Sequence, residues 1–288
     1  MSCRAVLAVK PSRRPPFAPA LAFALASLAF AAPHAHALDA APRSVPTSAH
    51  APTYKAGAHA HGPLADFAGV AVSPGVREVA NWSFYTRDNQ GRSVVILDKQ
   101  AATVYVFNRA GRMVSTAPVL LGLTVGDGTA PGVGDKPIEE VRDDEKTTPA
   151  GRFLARPGED DSGTDVVWID YDAAVAMHRV IDKVRAERRP ERLASPDPRE
   201  RRISFGCINL PIPFYEQVLA PTVRRTGAIV YVLPETQPAS QVFGSWDVTD
   251  PNARPPRVPA GHAAPASAPA PQLREAQARV GVDALPVR

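Results

Sequence analysis

Between about residues 91 and 121 the large apolar residues fall in short runs bounded by turn-forming residues. Arg92-Ser93-Val94-Val95-Ile96-Leu97-Asp98 and Ala102-Thr103-Val104-Tyr105-Val106-Phe107 are rich in β-branched and aromatic side chains, which pack well on a pleated surface. Asp98-Lys99-Gln100-Ala101 lies between them, so the pair predicts a hairpin. Asn108-Arg109-Ala110-Gly111-Arg112 predicts a second turn into a third strand from Met113 to Leu121. Further strands are predicted at Gly151 to Ala155, Val166 to Asp170, Ala174 to His178 and Ala228 to Leu233. One segment reads as a helix, from about Pro213 to Arg225. Pro213 suits its first turn, Phe214, Val218 and Leu219 share a side, and Gly227 stands just past its end. Many strands and few helices predict a mainly β fold with minor α, largely antiparallel, with a helix or two packed on it.

The same apolar pattern divides the chain. Arg4, Lys10, Arg13 and Arg14 precede an apolar run from Phe17 to Ala32, and Ala35-His36-Ala37 follows as a small-x-small cleavage pattern. Residues 1–37 therefore read as a secretory signal peptide, too short in its apolar part for a membrane span, and no later stretch is long and apolar enough to cross a bilayer. Residues 38–78 and 237–288 are rich in Ala and Pro and poor in large apolar side chains, so both are expected to be flexible arms that cannot offset their chain entropy. Residues 79–236 hold most of the apolar bulk and suit one domain.

Charge changes the picture once the leader is set aside. The chain has 33 Lys and Arg against 29 Asp and Glu, and all four charges of residues 1–37 are basic, which leaves 29 of each sign. Nucleic acid as a partner loses its electrostatic support. Charge persists locally: Asp135 to Asp170 holds 11 acids and 5 bases, and Arg179 to Arg202 holds 9 bases and 5 acids. These runs are either solvated surface loops or, for the basic one, a surface that meets an anionic substrate.

Without the leader, which takes Cys3 with it, Cys207 is the remaining cysteine. In an oxidising compartment such a thiol is a tolerated core residue or a nucleophile. Its setting, Ser204-Phe205-Gly206-Cys207-Ile208-Asn209, has a glycine that lets the backbone turn or approach a ligand, and polar groups on either side. Of seven histidines, two fall in the leader and four in the arms, so His178 is the histidine expected inside the domain. A thiol attacking an acyl group needs a base and then an acid, and imidazole serves as both near neutral pH. His178 is otherwise a satisfied core residue at a strand end. His59-Ala60-His61 in an arm lacks the further ligands of a metal site, and no metal or other cofactor is expected.

Thr147-Thr148-Pro149-Ala150-Gly151-Arg152-Phe153, a strand ending in His178, and Ser204-Phe205-Gly206-Cys207-Ile208-Asn209 follow the hairpin in an order that resembles the L,D-transpeptidase catalytic domain family of the YkuD-like type, over about residues 91 to 234. The resemblance implies a β-sandwich with a helix packed near a catalytic cleft, Cys207 as nucleophile and His178 as base. It further implies that the Arg179 carbonyl orients the base, that backbone amides around Gly206 and Cys207 form the oxyanion hole, and that Ser204 and Asn209 support the cleft. Two positions depart from the family pattern: Phe205 stands where a histidine is usual, and His178 lies 26 positions before Ser204, farther than usual. The extra length, Arg179 to Arg202, is expected to be an enlarged loop over the cleft, a substrate lid whose Arg199, Arg201 and Arg202 draw in carboxylates.

The implied reaction is acyl transfer on peptidoglycan stem peptides in the periplasm or cell envelope, serving cell wall biogenesis and cell shape. Cys207 would form a thioester with release of D-alanine, and an amine would resolve it to a 3→3 cross-link or an exchanged D-amino acid. Resolution by water would make the same site a carboxypeptidase or cross-link hydrolase. A non-catalytic, cell-wall-binding homologue with an incidental thiol is the reading from another class.

Overall fold

The structure is a computed structural model and describes residues 61–256 with the exception of Asp161. The leader, His59, most of the first arm and the end of the second lie outside the described residues.

Among the described residues ten strands follow one another as β1 (Ser93–Asp98), β2 (Thr103–Phe107), β3 (Met113–Pro118), β4 (Leu121–Gly122), β5 (Gly151–Glu159), β6 (Asp165–Asp170), β7 (Val175–Arg179), β8 (Arg202–Ser204), β9 (Ile208–Leu210) and β10 (Ala228–Val232). Eight of them form one sheet in the order β3-β2-β1-β10-β5-β6-β7-β9, and β4 pairs with β8 separately. Pairing in the large sheet is antiparallel except for β1 with β10 and β7 with β9, which are parallel. The mainly β expectation holds. Strand-forming side chains produced each predicted strand, with the third one broken at Val119 and Leu120 and resumed as β4.

A nine-residue β5 makes the sheet turn back on itself. Its first half, Gly151 to Ala155, pairs with β10, and its second half, Arg156 to Glu159, pairs with β6. The two halves of the sheet then face each other across one core: Val95, Leu97, Val230 and Val232 share a cluster with Val167, Ile169, Met177 and Ile208. This is the sandwich arrangement, built by one folded sheet. The predicted helix closes the core with Phe214, Leu219 and Val223. It runs as α3 (Ile212–Phe214), a π-helical turn (Tyr215–Leu219) and α4 (Ala220–Thr226), and ends at Gly227, whose φ is 61°.

Strand alternation leaves a second apolar face on β1, β2 and β10, made by Val94, Ile96, Tyr105, Phe107, Ile229 and Tyr231. A helix not anticipated in the sequence, α1 (Pro74–Tyr85), covers it with Val76, Val79 and Trp82. Phe67 and Val70 pack there from the chain before α1, and Phe243, Trp246 and Val248 from the chain after β10. The packed region is thus wider than 79–236 on both sides. Few apolar residues sufficed because several are aromatic, and each aromatic ring buries a large area on a face that would otherwise meet water. His61 also belongs to the fold, stacked on Tyr85 at 4.0 Å, so His178 is not the only histidine there.

Candidate active site

β7 and β9 place the site. They run parallel, with Met177 opposite Ile208, His178 opposite Asn209 and Arg179 opposite Leu210. Met177 and Ile208 point into the sandwich core. Because side chains alternate along a strand, His178 and Asn209 emerge on the other face, where Ala176 and Cys207 cluster with Val166, Trp168 and Tyr171. Cys207 keeps 8% of its surface exposed and His178 2%, so both are largely shielded from water.

The hydrogen bonds of His178 define its state. Nδ1 lies 2.7 Å from the Arg179 carbonyl oxygen, and Nε2 lies 3.1 Å from Asn209 Nδ2. A carbonyl only accepts and an amide NH2 only donates, so Nδ1 carries the proton and Nε2 presents its lone pair. The structure thus brings the Arg179 carbonyl to the place expected of it. The Arg179 side chain turns elsewhere, to Asp165 at 2.8 Å and Glu216 at 2.9 Å, with its guanidinium over the Tyr215 ring. Burial pushes the Asp165 carboxyl up, but the bonds from Arg179 and Tyr215 outweigh it and hold the group below the ordinary carboxylate range.

Around the thiol the backbone is fixed from two sides. Gly206 has φ 133°, and a Cβ there would come within 2.7 Å of the Thr147 carbonyl oxygen, so only glycine fits. Thr148 Oγ1 donates to the Gly206 carbonyl at 2.8 Å and accepts from the Gly122 amide at 2.9 Å. Ser204 Oγ donates to the Cys207 carbonyl at 2.6 Å and accepts from the Gly206 amide at 3.2 Å. The Thr-Thr-Pro turn and the Ser-Phe-Gly-Cys turn are therefore one interlocked unit. One expectation changes: the Gly206 amide, assigned to an oxyanion hole, donates to Ser204 in this state. Cys207 Sγ donates to the Ala174 carbonyl at 3.7 Å. Phe205, in place of the usual histidine, receives Lys146 Nζ at 4.3 Å over its ring.

The basic segment departs most from the sequence reading. Arg201 donates to the Ser195 carbonyl at 2.6 Å and reaches the Ala101 and Ala102 carbonyls, fastening the segment to the β1–β2 turn. Arg202 is bound to Glu235 and is nearly buried. Neither is placed to draw in a substrate carboxylate, because the folded chain already uses their donors. Arg199 is 89% exposed and pairs with Asp197 at 2.8 Å. The segment forms α2 (Arg189–Ala194), which buries Leu193 and sends Arg189 inward.

Arg189 and Lys99 are the site-supporting residues that the sequence did not disclose. Arg189 Nη1 donates to Asn209 Oδ1 at 2.5 Å and its Nε to Glu187 at 2.6 Å. Lys99, in the hairpin turn, is fully buried and donates to Asp127 at 2.8 Å and to the Thr148 carbonyl at 3.0 Å, with Glu235 at 3.4 Å. Burial alone would raise the Asp127 carboxyl, but Lys99, Thr236 and the amides of Glu235 and Thr236 bring it down to about 2. Among the described residues no group of three or more His, Cys, Asp and Glu could hold a metal ion, and no helix is long and apolar enough to cross a membrane.

No family model matches the sequence, and no curated protein matches it either. Among solved structures, the helical cell shape determining protein Pgp2 from Campylobacter jejuni is similar at 15% identity with a TM-score of 0.33, covering 52% of this chain and 51% of that one. The chain thus spans about half the length of Pgp2. The catalytic domain of an L,D-transpeptidase from E. faecium is similar at 17% identity with a TM-score of 0.28, covering 50% of this chain and 98% of the domain.

Proposed function

We propose that the protein is an exported cysteine acyltransferase acting on peptidoglycan stem peptides. The observation that carries this reading is the pairing of β7 with β9, which sets His178 and Cys207 on one face of adjacent strands, with His178 Nδ1 held by the Arg179 carbonyl at 2.7 Å. In the proposed reaction the Cys207 thiol turns from the Ala174 carbonyl to His178 Nε2, displaces the Asn209 amide there and gives up its proton, and the thiolate attacks the carbonyl before the terminal D-alanine. The C–N bond breaks as the imidazolium protonates the leaving amine, and a thioester remains. An acceptor amine then attacks the thioester, forms the new amide and returns the thiol.

A covalent trap tests the reading. A carbapenem, as a strained acyl donor, is expected to add once to the protein at Cys207, and Cys207→Ala is expected to show no adduct by intact mass. No adduct on the wild-type protein, or equal adducts on both, would leave a wall-binding module with an incidental thiol.

A further inference from the structure

We infer that Arg189 is a positioning residue that acts through Asn209 to hold His178 as a neutral imidazole with its proton on Nδ1. The inference deepens the proposed function and rests on His178 being the base in it.

A guanidinium has donors and no acceptor. Arg189 Nη1 at 2.5 Å from Asn209 therefore requires Oδ1 on its side, and the amide has one remaining face, Nδ2, for His178 Nε2 at 3.1 Å. An amide NH2 suits a lone pair on Nε2 and opposes a proton there. A second proton on His178 would need Asn209 to turn its oxygen inward, and Arg189 opposes that turn. The chain Arg189, Asn209, His178, Arg179 carbonyl thus specifies where every proton sits. Its members are deeply placed, with Arg189 1% exposed and Asn209 0%. Water is not free to substitute for either.

The residues come from separate parts of the fold. Asn209 is fixed on β9 by its register with His178, while Arg189 opens α2 in the segment that lengthens the distance from His178 to the thiol. Arg188, at φ 51°, turns the chain so that α2 starts with Arg189 facing inward. Arg192 reinforces the turn by donating to the Glu187 carbonyl at 2.8 Å. The segment's role is therefore to carry one cation into the site's support. The charged and titratable groups around His178 include Cys207 just before β9, Arg189 with Glu187, and Arg179 with Asp165 of β6 and Glu216 of the π-helical turn. The Arg179 side chain faces its two acids, and Arg189 is bonded to the amide that meets the imidazole.

The test follows the protonation of His178 by NMR of its ring across pH, in the full chain. Replacing Arg189 by Met frees Asn209 to turn, and the pH at which His178 takes its second proton is expected to rise by roughly one unit, the size of losing one hydrogen bond to a charged group. Arg189→Lys keeps a donor-only cation and is expected to titrate within a few tenths of a unit of wild type. A purely structural Arg189 would lower the melting temperature in Arg189→Met and leave the titration in place, which would overturn the inference. Should Arg189→Met not fold, Asn209→Asp carries the test. It keeps a partner for Arg189 and turns an acceptor to Nε2, so an upward move is expected and an unmoved titration overturns the inference. The titration does not depend on turnover. A failed carbapenem trap with the expected titration would sink the acyltransferase reading alone.

Discussion

Replacing Thr148 by Val removes one hydroxyl and nearly keeps the side-chain shape. The hydroxyl is buried and serves two backbone groups at once, the Gly206 carbonyl at 2.8 Å and the Gly122 amide at 2.9 Å. Both partners lie in buried residues, so neither is expected to find water as a substitute. A buried polar group left without its bond costs about 1–3 kcal/mol, and some relaxation is expected, so the substitution should destabilise the fold by about 2–4 kcal/mol. With a urea slope of about 2 kcal/mol per molar, the unfolding midpoint should fall by roughly 1–2 M at unchanged slope. Thr148→Ser keeps the hydroxyl, loses one methyl and should cost only about 1 kcal/mol. Because Gly206 precedes the thiol, Thr148→Val should also slow carbapenem acylation of Cys207 under conditions where the variant is fully folded. Equal midpoints for Val and wild type would refute the idea that the two turns are locked through this oxygen.

Three further outcomes are expected. His178→Ala should slow acylation of Cys207 at least about a hundredfold at neutral pH, with partial recovery in alkali as hydroxide makes thiolate, and an unchanged rate at pH 7 would make His178 a core residue. Arg202→Gln should lower stability by about 2 kcal/mol because Glu235 loses a buried partner, while Arg199→Gln should leave the melting temperature unchanged, and equal effects would contradict the assignment of only one to the fold. The Asp127 carboxyl, lowered from 3.8 to about 2, contributes stability that is complete above pH 4 and lost as pH falls toward 2. Asp127→Asn should therefore flatten that limb of the pH–stability curve, by on the order of 1–2 kcal/mol once solvent screening is allowed for.

The longer strands were legible because each carries its own signal. β1, β2 and β10 are β-branched runs that any register would bury, and the Gly-Cys turn and His178 were visible as chemistry before any contact was known. β8 and β9 were not legible, since three residues each leave no period to detect. α1 and the packing of Phe243 and Trp246 were hidden in segments whose average composition is that of a solvated arm, and a few large rings outweigh such an average. Arg189 and Lys99 fail for another reason. A cation in a basic run or in a hairpin turn is ordinarily exposed, and its burial depends on partners, here Asn209 and Asp127, that the chain brings from elsewhere. The same circumstance hid the intramolecular partners of Arg201 and Arg202.

The position of β10 has a consequence for how the molecule is made. It lies between β1 and β5, with Ser93 paired to Ala228 and Ala228 to Ala155, so the last strand among the described residues is the one that joins the two halves of the sheet. Until synthesis has passed Val232, the β1–β3 meander and the β5–β7 hairpins are separate pieces, each with an open edge where β10 will insert. Pairings this remote along the chain close slowly, because the loop entropy is lost before the contacts form. The nascent protein therefore carries two unpaired edges from the completion of β5 at Glu159 until that of β10 at Val232, a span in which holding by a chaperone or pairing with another chain competes with folding.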